Sequence, residues 1–124
     1  MAKWHAYGRC KTRLSKDIGK ICSANVQRRM TEHTISVAKY IEKMGLIDIS
    51  LAISGLGLKK SKRWSDELGI KTFNLQGKGC LGEKMRRQIL KNKKEFSKKD
   101  SRNLIFIGTD LPDFCHMDLL NTLK

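Results

Sequence analysis

Three short segments hold the residue types that phosphate chemistry needs. The first, Gly8-Arg9-Cys10-Lys11-Thr12-Arg13-Leu14, places three cations within five residues of one another, just after a glycine. Lysine supplies a compact positive charge and arginine a planar fork for two oxygens, so such a loop can wrap a pyrophosphate. The same composition also describes a solvated basic loop, and the residues alone leave both readings open. The second, Gln76-Gly77-Lys78-Gly79-Cys80-Leu81-Gly82-Glu83-Lys84-Met85, has glycines that let backbone approach a ligand ahead of a helix N-terminus. It lacks the Lys-Ser/Thr ending of a Walker loop. Taken by itself it is a turn between strand and helix, with Glu83 a favourable first-turn acid. The third, Ile107-Gly108-Thr109-Asp110-Leu111-Pro112, sets an acid at the tip of an apolar run. A carboxylate there can hold a divalent cation or a ribose hydroxyl, or it can bond to backbone in a turn. Strand ends are where ligand sites concentrate, which favours the functional reading.

The elements that must position these segments follow from periodicity. A helix is expected from about Ser23 to Met44, with Val26, Met30, Thr34, Val37, Ile41 and Met44 on one stripe and Gly45 as its stop. Ile47 to Ile53 alternates as a strand does. A short helix from Lys60 to Leu68 ends at Gly69, and Ile70 to Leu75 is a second strand. A helix from about Leu81 to Phe96 has Leu81, Met85 and Ile89 on one face, and Ser97 to Arg102 makes a turn. Leu104 to Ile107 is a wholly apolar strand covered on both faces, and a last helix starts near Phe114 or Cys115. Strands alternating with helices indicate an α/β three-layer sandwich with a mostly parallel sheet. In such sheets ligands bind at the carboxyl ends of the strands, where the second and third segments fall.

The 124 residues suffice for one domain with a modest core. Lys and Arg number 26 against 12 Asp and Glu, a formal charge of +14, which attracts phosphate-bearing partners. The cations scatter over Lys59–Arg63, Arg86–Lys94 and Lys98–Arg102 with few aromatics among them, which argues against a nucleic-acid binder. Cys10, Cys22, Cys80 and Cys115 form no C-x-x-C pair and are expected as reduced thiols. No apolar run is long enough to span a bilayer and no secretory leader is apparent, so a cytoplasmic location is expected. His5, His33 and His116 are expected in structural or exposed roles, and Trp4 and Trp64 in packing.

In this order the three segments resemble a bacterial GT-A-fold glycosyltransferase family, of the arsenosugar-biosynthesis type, related in fold to MobA-like and CofC-like nucleotidyltransferases. The family's opening pattern matches at Ala2-Lys3, Gly8 and Lys11-Thr12-Arg13-Leu14. Its second matches at Gln76, Gly79, Leu81-Gly82 and Met85, and its third at Ile107 to Asp110 and Pro112. The departures are His5 for a proline, Cys80 for an acid and Lys84 for an arginine. The resemblance implies transfer of a sugar from a nucleoside diphosphate sugar. Gly8, Lys11, Thr12, Arg13, Gly79, Leu81 and Gly82 would hold the nucleotide and its phosphates, and Asp110 a Mg²⁺ or Mn²⁺ ion. It assigns no catalytic base and no acceptor. It also implies a single GT-A domain over residues 1–124, truncated at both ends. The family's first strand would precede Ala2, leaving two inner sheet edges open, and its Asp-Gly-Gly-Tyr segment would follow Lys124. A nucleotidyltransferase is the nearest alternative, with a basic nucleic-acid-binding protein or a non-functional remnant behind it.

Overall fold

The sheet is built from β1 (Ala2–Lys3), β2 (Ser50–Ser54) and β3 (Thr72–Leu75), all parallel and in that spatial order. The register pairs Ala2 with Ile53, Leu51 with Phe73 and Ile53 with Leu75. The structure, a computed structural model, describes residues 1–95 and 103–124. The basic run at Lys98–Arg102, the turn at Ser97–Arg102 and the expected helix end at Phe96 lie outside the described residues.

Parallel neighbours need long crossovers, and helices supply them. α1 (Ser15–Lys43) joins β1 to β2 and α2 (Leu58–Glu67) joins β2 to β3. α3 (Leu81–Glu95) follows β3, and α4 (His116–Leu123) follows the Asp110 loop. Side chains alternate across a strand, so Ala2, Leu51, Ile53 and Phe73 share a face. They cluster with Ile35 of α1, Trp64 of α2 and Ile70, which puts both helices on that face. Truncating Trp64 to alanine there would cost about 3–5 kcal/mol. Ala52 points the other way and is buried too, so β2 is covered on both sides. α4 lies on α1, where His33 Nε2 is 2.8 Å from the Phe114 carbonyl and the Tyr40 and His116 rings are 5.4 Å apart.

The Met1 amino group donates to the Ile107 carbonyl, so the run at 104–107 meets the β1 end of the sheet.

Four expectations change. The place between β2 and the run at 104–107, expected to be vacant, holds β1. Leu104–Ile107 itself has no strand ladder. Leu104 is exposed, Ile105 to Ile107 are half-buried, and the run's neighbour β1 is two residues long, too short for an extended ladder. α1 begins earlier than expected and is broken at Gly19, whose φ of 81° is left-handed. Its buried row is largely polar: Ser23, Gln27, Thr31 and Thr34, with Ile35 and Ile41, while Met44 is exposed. Hydrogen bonding makes that row tolerable. Thr31 Oγ1 donates to the Gln27 carbonyl at 2.9 Å, Thr34 Oγ1 to Met30 at 3.0 Å, and the Gln27 amide to the Lys3 carbonyl at 3.5 Å. On α3 the buried residues are Gln88 and Asn92, and Leu81 stands exposed.

Candidate functional site

The chain leaves β1 through a series of turns before α1 begins. Gly8 adopts φ 68°, a left-handed value that glycine takes without a Cβ penalty. Cys10 is fully buried, its thiol 3.3 Å from the Ala6 carbonyl, and it anchors the loop. Lys11 has φ 44°, the one non-glycine residue with a positive φ among those described. A bulky side chain in that region costs of order 1–3 kcal/mol and persists only where its surroundings hold it.

Lys11 Nζ lies 2.7 Å from Asp110 Oδ1. The two residues are 99 positions apart, Lys11 in the loop after β1 and Asp110 in the loop after the run at 104–107. The chain runs away from β1 toward β2 on one side, while the run at 104–107 meets β1 on the other. Their loops therefore meet beside the carboxyl end of β1, the end of a parallel sheet at which ligands bind. Behind Asp110, Thr109 is buried. Thr12 and Arg13 are exposed, and the Arg13 guanidinium has no partner among the described residues. Ser15 Oγ donates to the Thr12 carbonyl at 2.8 Å, closing the loop onto α1.

The loop after β3 is organised differently. Gln76 is buried, and its amide donates to the carbonyls of Ala2 at 3.2 Å and Ala52 at 2.9 Å. Arg87 of α3 donates to the carbonyls of Gln76 and Lys78. The Glu83 carboxylate accepts from the Cys80 N–H at 2.8 Å. That bond, with help from the Cys80 thiol and the Arg87 charge, holds Glu83 below the ordinary glutamate range. Gly77 and Gly79 have φ of 74° and 112°. Gly79, Leu81 and Gly82 are all exposed on this side of the sheet.

A cleft of about 280 Å³ opens between the ends of β2 and β3, lined by Ile53, Ser54, Gly55, Leu56, Leu75 and Gly77. Its lining includes neither Lys11 nor Asp110. Two contributors escaped sequence reasoning. The turn Ser54-Gly55-Leu56 ends an apolar strand with a glycine, a signal that was available. Arg87 sat among cations assigned to a solvated surface, and nothing in its neighbours marks it as a loop clamp.

The aromatic residues pack on one another rather than on a ligand. Trp4 meets Trp64 edge-on at 4.9 Å and His5 at 4.0 Å. Burial first, then the Arg28 charge, lowers the His5 pKa below the usual histidine value. The four cysteines are free thiols. Among the described residues no group of three or more His, Cys, Asp or Glu could by itself hold a metal ion. No helix among them is long and apolar enough to cross a membrane.

No sequence profile of a known protein family matches the chain, and no curated protein sequence does. The fold has a counterpart among solved structures. A candidate nucleotide-diphospho-sugar transferase from Desulfovibrio desulfuricans G20 superposes with a TM-score of 0.72 at 20% identity, over 98% of this chain and 50% of that one. Likeness at that identity is likeness of fold. The chain has the α/β fold of a nucleotide-diphospho-sugar transferase, and it spans about half the length of that solved protein.

Proposed function

We propose that this chain carries the nucleotide-binding part of a nucleotide-diphospho-sugar transferase and takes up the nucleoside diphosphate of a sugar donor. The contact between Lys11 and Asp110 carries the reading. It joins a cation and an acid, from loops far apart in sequence, beside the carboxyl end of β1, and ligands of parallel sheets bind at that end of the strands. In this reading Lys11 and Arg13 take the diphosphate, while Gly8 turns the loop and Thr12 presents its hydroxyl. The cleft along Ile53, Gly55, Leu75 and Gly77 receives the nucleoside, and Gly79, Leu81 and Gly82 border it from the β3 side. Sugar transfer leaves charge on a diphosphate, and cations fixed before the reaction stabilise that charge.

A divalent cation fits this arrangement in one way only. Asp110 offers a lone carboxylate, which is how Mg²⁺ is held when substrate phosphates and water supply its other ligands. Mg²⁺ or Mn²⁺ held there would help neutralise the diphosphate charge.

Titration calorimetry of the full chain with a panel of nucleoside diphosphates and Mg²⁺ tests the reading. Binding is expected, weakened roughly tenfold to hundredfold by Lys11→Ala, the range for one hydrogen bond to a charged group. Undiminished binding by that variant, or none by the parent chain, would sink the assignment.

A further inference from the structure

Lys11 and Asp110 are assigned above to different guests, one to phosphate and one to a divalent cation, yet in the structure each is bonded to the other. At 2.7 Å the ammonium stands where a cation would coordinate Oδ1, and the carboxylate stands where a phosphate oxygen would meet Nζ. The pair is lopsided, with the Lys11 side chain 18% exposed and that of Asp110 70% exposed. Lys11 is held by its left-handed backbone and by buried Cys10 beside it, whereas Asp110 stands in solvent. The acid is therefore the member that solvent and an incoming cation reach first.

We propose that this ion pair is a latch that makes diphosphate and divalent cation bind together rather than in sequence. The inference rests on the nucleotide-site reading. A cation arriving alone must displace an ammonium from Asp110 and remain next to it. A diphosphate arriving alone must reach Lys11 past a carboxylate. Arriving together, the two open the pair once, and each lost contact is replaced, Lys11 by phosphate and Asp110 by the cation. The coupling is reciprocal, since each guest raises the affinity of the other by one factor. A pair with one member in solvent is a weak lock, so its removal should change single-guest affinity about threefold to fivefold.

The test uses the full chain with inorganic pyrophosphate and Mn²⁺. Pyrophosphate binding is read by calorimetry, with and without Mn²⁺, and Mn²⁺ binding by the spin resonance of the free ion. In the parent chain Mn²⁺ should tighten pyrophosphate binding at least about threefold to fivefold, the cost of opening the pair once rather than twice. Asp110→Asn should raise metal-free pyrophosphate binding about threefold to fivefold. That gain should vanish in the Lys11→Met background, because release of Lys11 is its source. Lys11→Met should in turn raise binding of Mn²⁺ alone, and the double variant should lose it. A gain from Asp110→Asn that persists without Lys11 reports removed repulsion and overturns the latch, as does no gain at all. Tight but uncoupled binding by the parent chain overturns the latch and leaves the site. Failure to bind pyrophosphate or any nucleoside diphosphate, with or without the cation, overturns both.

Discussion

The loops after β1 and β3 look alike in sequence. Each leaves the carboxyl end of a parallel strand, carries glycine at a left-handed φ and leads into a helix. They differ in what already occupies their polar groups. After β3, the Gln76 amide, the Arg87 guanidinium and the Glu83 carboxylate bond to backbone of the loop itself and of the neighbouring strands. After β1, the anchoring falls to buried Cys10 and to backbone bonds such as Arg9 N–H to the Ala6 carbonyl, and Lys11 pairs only with the exposed Asp110 carboxylate. A glycine loop is free to meet a ligand only where its charges are not needed to hold the loop. By that standard the β1 loop is the proposed binding element and the β3 loop its scaffold.

The widest separation of the two should come from the paired substitution Lys11→Ala with Arg13→Ala. Nucleoside diphosphate binding should fall about hundredfold or more, two charge-assisted contacts being lost. The urea midpoint should barely move, because Arg13 is exposed and Lys11 pairs only with a solvent-exposed carboxylate. Were the midpoint to fall sharply while binding held, the roles of the loops would be reversed.

Gln76→Leu should show the converse. It strips the donor from two carbonyls in the sheet and should cost about 2 kcal/mol in urea unfolding. The nucleotide affinity of the molecules that remain folded should change by less than the Lys11 variant changes it. Gly79→Ala should cost about 1–2 kcal/mol, since alanine resists a φ of 112° and its Cβ would run into the Glu83 carboxylate. A fully tolerated alanine there would mean the β3 loop is looser than described.

The smallest effect belongs to Glu83→Gln. The folded state lowers the Glu83 pKa, chiefly through the Cys80 N–H, so its stabilising contribution is present above the unfolded glutamate pKa. The contribution is lost as pH falls through the folded value. The gap in Tm between the parent chain and Glu83→Gln should therefore close on acidification below the ordinary glutamate range. A gap independent of pH would show that the carboxylate does not cap α3.

Local signals served well where local forces decide. β2, β3, α2 and α3 fall close to the spans their patterns predict, and Gly45 and Gly69 sit at left-handed φ where their helices stop. Alternation, helix propensity and glycine stops act over a few residues and can be read from them. The polar row of α1 could not, because a hydrophobic pattern does not register that Gln27 and Thr31 satisfy each other and the β1 backbone.

By itself the sequence determined the alternation of strands and helices, hence the α/β class, and it placed the glycine loop after Leu75 at a strand end. Tertiary structure alone decided that Ala2–Lys3 is a strand, since two residues become one only by pairing with β2. It also decided that Leu104–Ile107 stays out of the ladder, that Arg87 clamps a loop, and that Lys11 meets Asp110. Each of these depends on partners distant along the chain, and no short-range preference encodes which distant group will arrive.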